Sequence, residues 1–187
     1  MCKRKTEMEE LDVIGRNTRL YMSNQIMYEV ESAYLYLSMA AHFFSENFEG
    51  MSHWLKCQSH EEMVHAMKFY DHILDRGGKV ELADIPEVKT FWNSPLDAWK
   101  DAYEHEKFIT GKINEIIGVS REENDYASEP VLSWLANEQI EEEKNTSDVV
   151  RRIEMLNGSN EGLLRLDREL GARQFPVGSP FDRSAYD

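Results

Sequence analysis

Apolar residues recur along this chain at steps of three and four, in long runs separated by short polar or glycine-containing breaks. That is the period of helices that bury one face. The first run carries Ile26, Val30, Ala33, Leu37, Ala41 and Phe44. Asn17 or Thr18 is expected to cap it, and it ends near Ser45-Glu46-Asn47, roughly 45 Å of helix at the usual rise. Asn47 to Gly50 leaves room only for a short turn, so a second helix returns antiparallel beside the first. Its stripe reads Leu55, Gln58, Glu62, Ala66, Phe69 and Ile73, and Gly77-Gly78 stops it. Ser94-Pro95 with Asp97 opens a third helix whose stripe is Trp99, Tyr103, Glu106, Thr110, Ile113 and Ile117. After a polar turn at Glu123-Asn124-Asp125, the fourth stripe is Leu132, Leu135, Gln139, Glu142, Thr146, Val149, Ile153 and Leu156, ended by Asn157-Gly158.

No strand-type alternation of Val, Ile and Thr occurs, so the fold class is all-α. Between Lys79 and Asn93 no helical period is present and Pro86 interrupts the segment, leaving about fifteen residues of connection. One long crossover explains this length, because it carries the chain back along the bundle and sets helix three parallel to helix two. Leu163, Leu166 and Leu170 mark a short fifth helix, too brief to stand alone and with no evident place on a closed bundle. It is expected to bury its stripe at a subunit contact. The organisation predicted is an arm at 1–16, one domain at 17–170, and a mobile tail at 171–187 with Pro176, Gly178 and Pro180.

Thirty-five acidic against twenty-one basic residues give a formal charge of −14, which disfavours nucleic acid or an anionic membrane as partner and favours attraction of cations. The basic cluster Lys3-Arg4-Lys5 runs straight into Glu7, Glu9 and Glu10 and reads as a solvated terminus. No apolar stretch of signal or membrane length follows it, and two cysteines, Cys2 and Cys57, make no disulfide framework. A reduced, cytoplasmic setting is expected.

The chemistry lies in polar residues that interrupt the apolar stripes. Glu62 and His65 are three apart on one helix, about 5–6 Å at Cβ, and can grip one metal ion. A Glu and His at this spacing are more often a solvated surface pair, but Glu62 falls inside an apolar stripe. A buried ionised carboxylate needs partners or a metal to compensate it. Glu106 occupies the core face of helix three, and Gln139 with Glu142, again three apart, that of helix four. Glu29 and Tyr36 lie seven residues apart on the flank of the first stripe. Four helices thus aim carboxylates or a carboxamide at one level of the core. In the metal-free chain those like charges would raise one another's pKa values and oppose folding. A ligand set rich in oxygen with one imidazole suits Fe or Mn better than a thiolate-preferring metal. His105 points away from the Glu106 face, and Glu143 continues a charged run; both are expected in solvent. Met63 is expected to pack.

Four-helix di-iron carboxylate proteins place a Glu on each of two helices and a Glu-x-x-His on each of the other two. This chain matches all but one element, having Gln139-x-x-Glu142 in the fourth helix. From about Asn17 to Leu170 it resembles the bacterial non-haem ferritins. The resemblance runs through Asn24-Gln25, Glu29, Tyr36, Glu61-Glu62-Met63-x-His65, Glu104-His105-Glu106, the block from Ile109 to Glu115, and Glu138-Gln139-x-Glu141-Glu142-Glu143-Lys144. It implies a ferritin-like four-helix bundle and a homo-oligomeric shell of twenty-four subunits. The implied activity is a ferroxidase centre that oxidises Fe(II) with dioxygen and feeds an interior ferric mineral. Carried over by residue, Glu29, Glu62 and His65 would hold one iron, and Glu62, Glu106 and Glu142 a second, with Glu62 bridging, Gln139 adjacent and Tyr36 beside the pair. A third iron would use Glu61, Glu138, Glu141 and Glu142. Bacterioferritins bind haem through a methionine placed like Met63 but have Glu-x-x-His in helix four, so haem is not expected here. The alternatives are a rubrerythrin-like peroxidase, whose four-cysteine iron domain two cysteines cannot build, and a non-catalytic shell subunit, which would be expected to lack ligands. A docking role for the tail, with Phe175 and Phe181, is a minor expectation.

Overall fold

The computed structural model describes residues 13–177, 179 and 180. Cys2, the Lys3-Arg4-Lys5 cluster, Gly178 and Phe181 lie outside them. The described residues form α1 (Arg16–Ser45), α2 (Glu49–Asp75), α3 (Pro95–Glu122), α4 (Glu129–Met155) and α5 (Asn160–Leu170), with one 3-10 turn at Tyr126–Ser128. No strand occurs among them.

Each interhelix turn closes through an asparagine in the left-handed region, which its short side chain tolerates: Asn47, Asn124 and Asn157 have φ of 64°, 57° and 47°. Helix α2 ends instead at Gly77, φ 75°, where the Gly77 and Gly78 amides donate to the carbonyls of Leu74 and Ile73. Ser94 caps α3 by accepting from the Asp97 amide at 3.1 Å, as its sequence signature requires. The start of α1 differs from expectation. Gly15 is its N-cap and offers no side chain, and neither Asn17 nor Thr18 caps the helix. The carboxylate of Glu123, in the turn after α3, accepts from the Asn17 and Thr18 amides and the Thr18 hydroxyl at 2.8–3.0 Å. Those bonds hold the Glu123 carboxyl below its ordinary range although partial burial opposes this.

The crossover passes over α1, where the Ser38 hydroxyl donates to the Lys89 carbonyl, and sinks Trp92 into the core. Trp99 at the start of α3 meets Trp54 at the start of α2 edge to face with ring centroids 5.0 Å apart, as helices running parallel require.

The core is split in two. One apolar half holds Phe43, Met51, Trp54, Trp92, Trp99 and Val149. The other holds Ile26, Phe69, Ile73, Ile113, Leu132 and Leu135. Between them the four helices bury a polar layer at mid-length.

The stripe of α1 corrects the sequence reading. Its buried line runs Thr18, Met22, Gln25, Glu29, Ser32, Tyr36, Met39, Phe43; of the expected stripe Ile26 and Ala33 are buried beside that line, Val30 and Leu37 are half-buried, and Ala41 and Phe44 are exposed. An apolar-only register sets the centre of the stripe one residue off, because Thr18, Gln25, Glu29 and Ser32 are polar. Glu29 and Tyr36 sit at its centre. Helix α3 buries Trp99, Glu106 and Ile113 as expected, and Ala102, Ile109 and Ile116 are buried where the sequence pattern points to Tyr103, Thr110 and Ile117, which are half-buried.

The short α5 does not wait for a subunit contact. Leu166 and Leu170 bury against the first core half with Leu163 beside them, and the Met51 amide donates to Asp167 Oδ1 at 2.8 Å. Gly50 lets the two backbones meet, since a Cβ there would stand 1.8 Å from the Asp167 carbonyl oxygen. Nor is the described part of either end free. Ile14 is buried in the second core half, and Arg173 and Phe175 pack on α2.

Candidate metal centre

The polar layer is built from the bottom up by helical spacing. In α1 and α2 a glutamine stands one turn before the core glutamate, and both pairs bond: Gln25 Nε2 donates to Glu29 Oε1 at 2.9 Å, and Gln58 Nε2 to Glu62 Oε1 at 2.8 Å. Gln58 Nε2 also donates to Glu142 Oε2 at 2.7 Å, joining α2 to α4. His65 Nδ1 is 3.2 Å from Glu62 Oε2. On the far side, Tyr36 donates to Glu106 Oε1, and Gln139 Nε2 donates to Glu106 Oε2 at 3.3 Å. Glu29, Tyr36, Glu62, His65, Glu106, Gln139 and Glu142 are each at most 3 % exposed.

Among the described residues, ligand atoms of Glu29, Glu62 and His65 lie within 4.8 Å of one another, and so do those of His65, Glu138 and Glu142. Glu29 Oε2 and Gln25 Oε1 are buried with no hydrogen-bond partner. A carboxylate oxygen aimed into a closed polar layer without a donor is what a cation would satisfy. Glu106 stands in neither group, being tied by Tyr36 and Gln139. Of the residues expected at a third position, Glu138 joins His65 and Glu142, Glu141 is exposed outside both groups, and Glu61 is paired with Arg173.

The four carboxyls do not face one another as four charges. Burial first, then the Glu62 charge, pushes Glu29 and Glu142 up to about 8, and the same two causes raise Glu106 well above its ordinary value. Burial also opposes ionisation of Glu62, but the hydrogen bond and charge of His65 and the donation from Gln58 outweigh it and hold Glu62 low. His65 is correspondingly lifted to about 10: burial lowers it, and Glu62, Glu29 and Glu142 more than reverse that. These shifts favour one imidazolium–carboxylate pair, His65 with Glu62, beside three carboxyls that burial and the Glu62 charge push towards their protonated form. Mutual repulsion is avoided by retaining protons, which any bound cation must displace.

Three sequence expectations at the site's margin change. His105 is not in solvent: its Nε2 is 2.7 Å from the Ser32 hydroxyl, and burial keeps it neutral beside Tyr36. Glu143 accepts from Thr110 Oγ1 at 2.6 Å, and Thr110 in turn receives Gln139 Nε2 at 3.3 Å. Met63 does not pack inside but is 41 % exposed, lining a groove with Val64, Met67 and Trp134. The roles of Gln25 and Gln58 had a readable signal, the twice-repeated Gln-x-x-x-Glu step; those of Ser32 and Thr110 had none.

The profile of the ferritin-like domain matches residues 21–156. Among curated relatives, the bacterial non-heme ferritin of Bacteroides fragilis (strain 638R) is 35% identical over 161 residues, covering 86% of this chain and 100% of that protein. That of Staphylococcus aureus (strain USA300) is 29% identical over 163 residues, covering 87% and 98%. Among solved structures, a closed form of the Archaeoglobus fulgidus ferritin engineered by site-directed mutagenesis superposes with a TM-score of 0.85 at 40% identity, covering 87% of this chain and 99% of that one. The open pore ferritin of the same archaeon gives 0.84 at 40% identity, covering 86% and 98%. A four-helix bundle with a buried layer of glutamates and one histidine, matched in sequence and in structure along most of its length, places this chain in the ferritin-like family.

Proposed function

We propose that this protein is an iron-storage ferritin whose buried polar layer is a ferroxidase centre, with Fe(II) and dioxygen as substrates. The observation that carries the reading is Glu29 Oε2, buried without a hydrogen-bond partner, on a carboxyl whose ligand atoms stand within 4.8 Å of those of Glu62 and His65. Glu29, Glu62 and His65 would hold one iron and Glu62, Glu106 and Glu142 a second, with Glu62 shared. Oxygen donors favour the ferric product, and each iron gives dioxygen one electron. The chain's own part is to yield protons as the cations arrive, from His65 and the carboxyls of Glu29, Glu106 and Glu142. Gln139 and Tyr36 release Glu106 by giving up their donations to it, and Gln139 stays beside the second iron. A third iron has Glu138 and Glu142 at hand. The ferric product passes to a mineral inside a homo-oligomeric shell, for which twenty-four copies are the family's number, in the cytoplasm.

The experiment is oxygen uptake on adding Fe(II) to the wild type and to Glu62→Ala, with sedimentation of both. The expected result is rapid uptake by a large assembly and loss of the fast phase in the variant, since removing the shared ligand empties both positions. Wild-type protein that consumes no oxygen is a non-catalytic shell subunit, and a monomer or dimer at micromolar concentration refutes storage in a shell.

A further inference from the structure

Three residues past the end of α5 the chain turns onto α2 and is pinned there by several contacts. The Arg173 carbonyl oxygen is 2.6 Å from His53 Nε2, and Phe175 packs on the His53 ring at 4.4 Å. The Arg173 guanidinium lies 4.3 Å over the Trp54 ring, Nη1 donates to Gln58 Oε1 at 2.9 Å, and Nη2 donates to Glu61 Oε2.

Gln58 is fully buried, and its amide can face the carboxylates with either its oxygen or its NH2. A guanidinium has only donors, so with Arg173 on one side the oxygen must face outward and the NH2 inward. That is the orientation that lets one nitrogen serve Glu62 on α2 and Glu142 on α4. Meanwhile the guanidinium occupies the cation place at Glu61, a residue next in sequence to the shared ligand.

We infer that Arg173 is a positioning residue of the metal centre: it locks Gln58 so that its amide orients Glu62 and Glu142, and it withholds Glu61 from iron while the strap is seated. This rests on the ferroxidase reading. An iron that used Glu61 would have to break a charge-assisted bond, whereas among the described residues Glu138 has no cationic partner of this kind.

The test is anaerobic calorimetric titration of the full-length assembly with Fe(II), for the wild type, Arg173→Met, Glu61→Gln and the two combined. Glu61→Gln is expected to bind as many Fe(II) per subunit as the wild type, because Arg173 already holds that carboxylate. Arg173→Met is expected to bind about one more per subunit, the freed Glu61 adding an oxygen ligand for a hard cation. Its tightest sites should weaken about three- to tenfold as Gln58 loses its anchor. The combined variant should lose the extra iron. A strap that merely braced the fold would lower the melting temperature and leave the count and its dependence on Glu61 unmoved. Loss of one iron in Glu61→Gln alone, or unchanged count and affinity in Arg173→Met, overturns the inference. Should Arg173→Met not assemble, Arg173→Lys keeps the charge and loses the two-pronged reach; it should keep the wild-type count with the weakened affinity, and unchanged affinity overturns the inference. Wild-type protein that binds no Fe(II), or Glu62→Ala that binds as much as wild type, refutes the ferroxidase reading instead.

Discussion

Replacing Glu29 by Gln separates what this side chain does for metal from what it does to the fold. Glu29 titrates at about 8 in the native protein against 4.5 for an ordinary glutamate, so between those values the folded chain holds a proton that the unfolded chain has lost. Its contribution to stability is therefore complete below pH 4.5 and declines as pH rises towards 8. Three and a half units at about 1.36 kcal/mol each, less the half-titration at pH 8, make the cost about 4 kcal/mol at pH 8 and about 1 kcal/mol at pH 5. Glutamine copies the protonated shape and never ionises. It keeps the Gln25 bond, and its NH2 can serve the unpaired Gln25 Oε1. Metal-free Glu29→Gln should thus melt only slightly above the wild type at pH 5 and progressively further above it to pH 8, by roughly 2–4 °C per kcal/mol for a chain of this size. Calorimetry on chelator-treated protein at pH 5, 6, 7 and 8 measures the difference. With Fe(II) under anaerobic conditions the order should reverse, because the wild type exchanges its proton for an anionic ligand bond, whereas the variant offers only a neutral, weaker amide oxygen. A melting difference that stays flat from pH 5 to 8 would show that Glu29 is ionised in the native state, and equal metal stabilisation would show that it is not a ligand.

Two other outcomes follow from the same structure. Binding of a divalent cation at neutral pH should release about four protons per subunit, from His65, Glu29, Glu106 and Glu142; a pH-stat titration with Zn(II) reads this, and release near zero would mean that the carboxyls are already ionised. Glu123→Ala removes the acceptor of both first-turn amides of α1 and should cost about 1–2 kcal/mol, seen as a lower melting temperature with unchanged Fe(II) binding. No effect would show that water caps α1 equally well.

The helices, their order, the long crossover and the identities of the central Glu, His and Gln residues were legible along the chain. Each rests on local chemistry: a helical period, a proline or glycine stop, and a charge where an apolar residue belongs. The same logic failed where function intrudes on it. In α1 the buried line is half polar, with Thr18, Gln25, Glu29 and Ser32, so an apolar-only stripe caught Ile26 and Ala33 but ran out onto exposed Ala41 and Phe44. In α2, where apolar residues flank Glu62 on both sides, the register came out right. What tertiary structure alone decided are relations between residues distant in sequence. Glu123 caps a helix that starts more than a hundred residues earlier, α5 closes on its own bundle, and Arg173 reaches back to Gln58 and Glu61. Protonation belongs to this class too. Glu29, Glu62, Glu106 and Glu142 are the same residue type on similar stripes, yet Glu62 is held below its ordinary value and the other three are pushed above it. The difference lies in where His65 and the Gln58 donor stand in three dimensions, and a pKa is set by that surrounding field and by burial together.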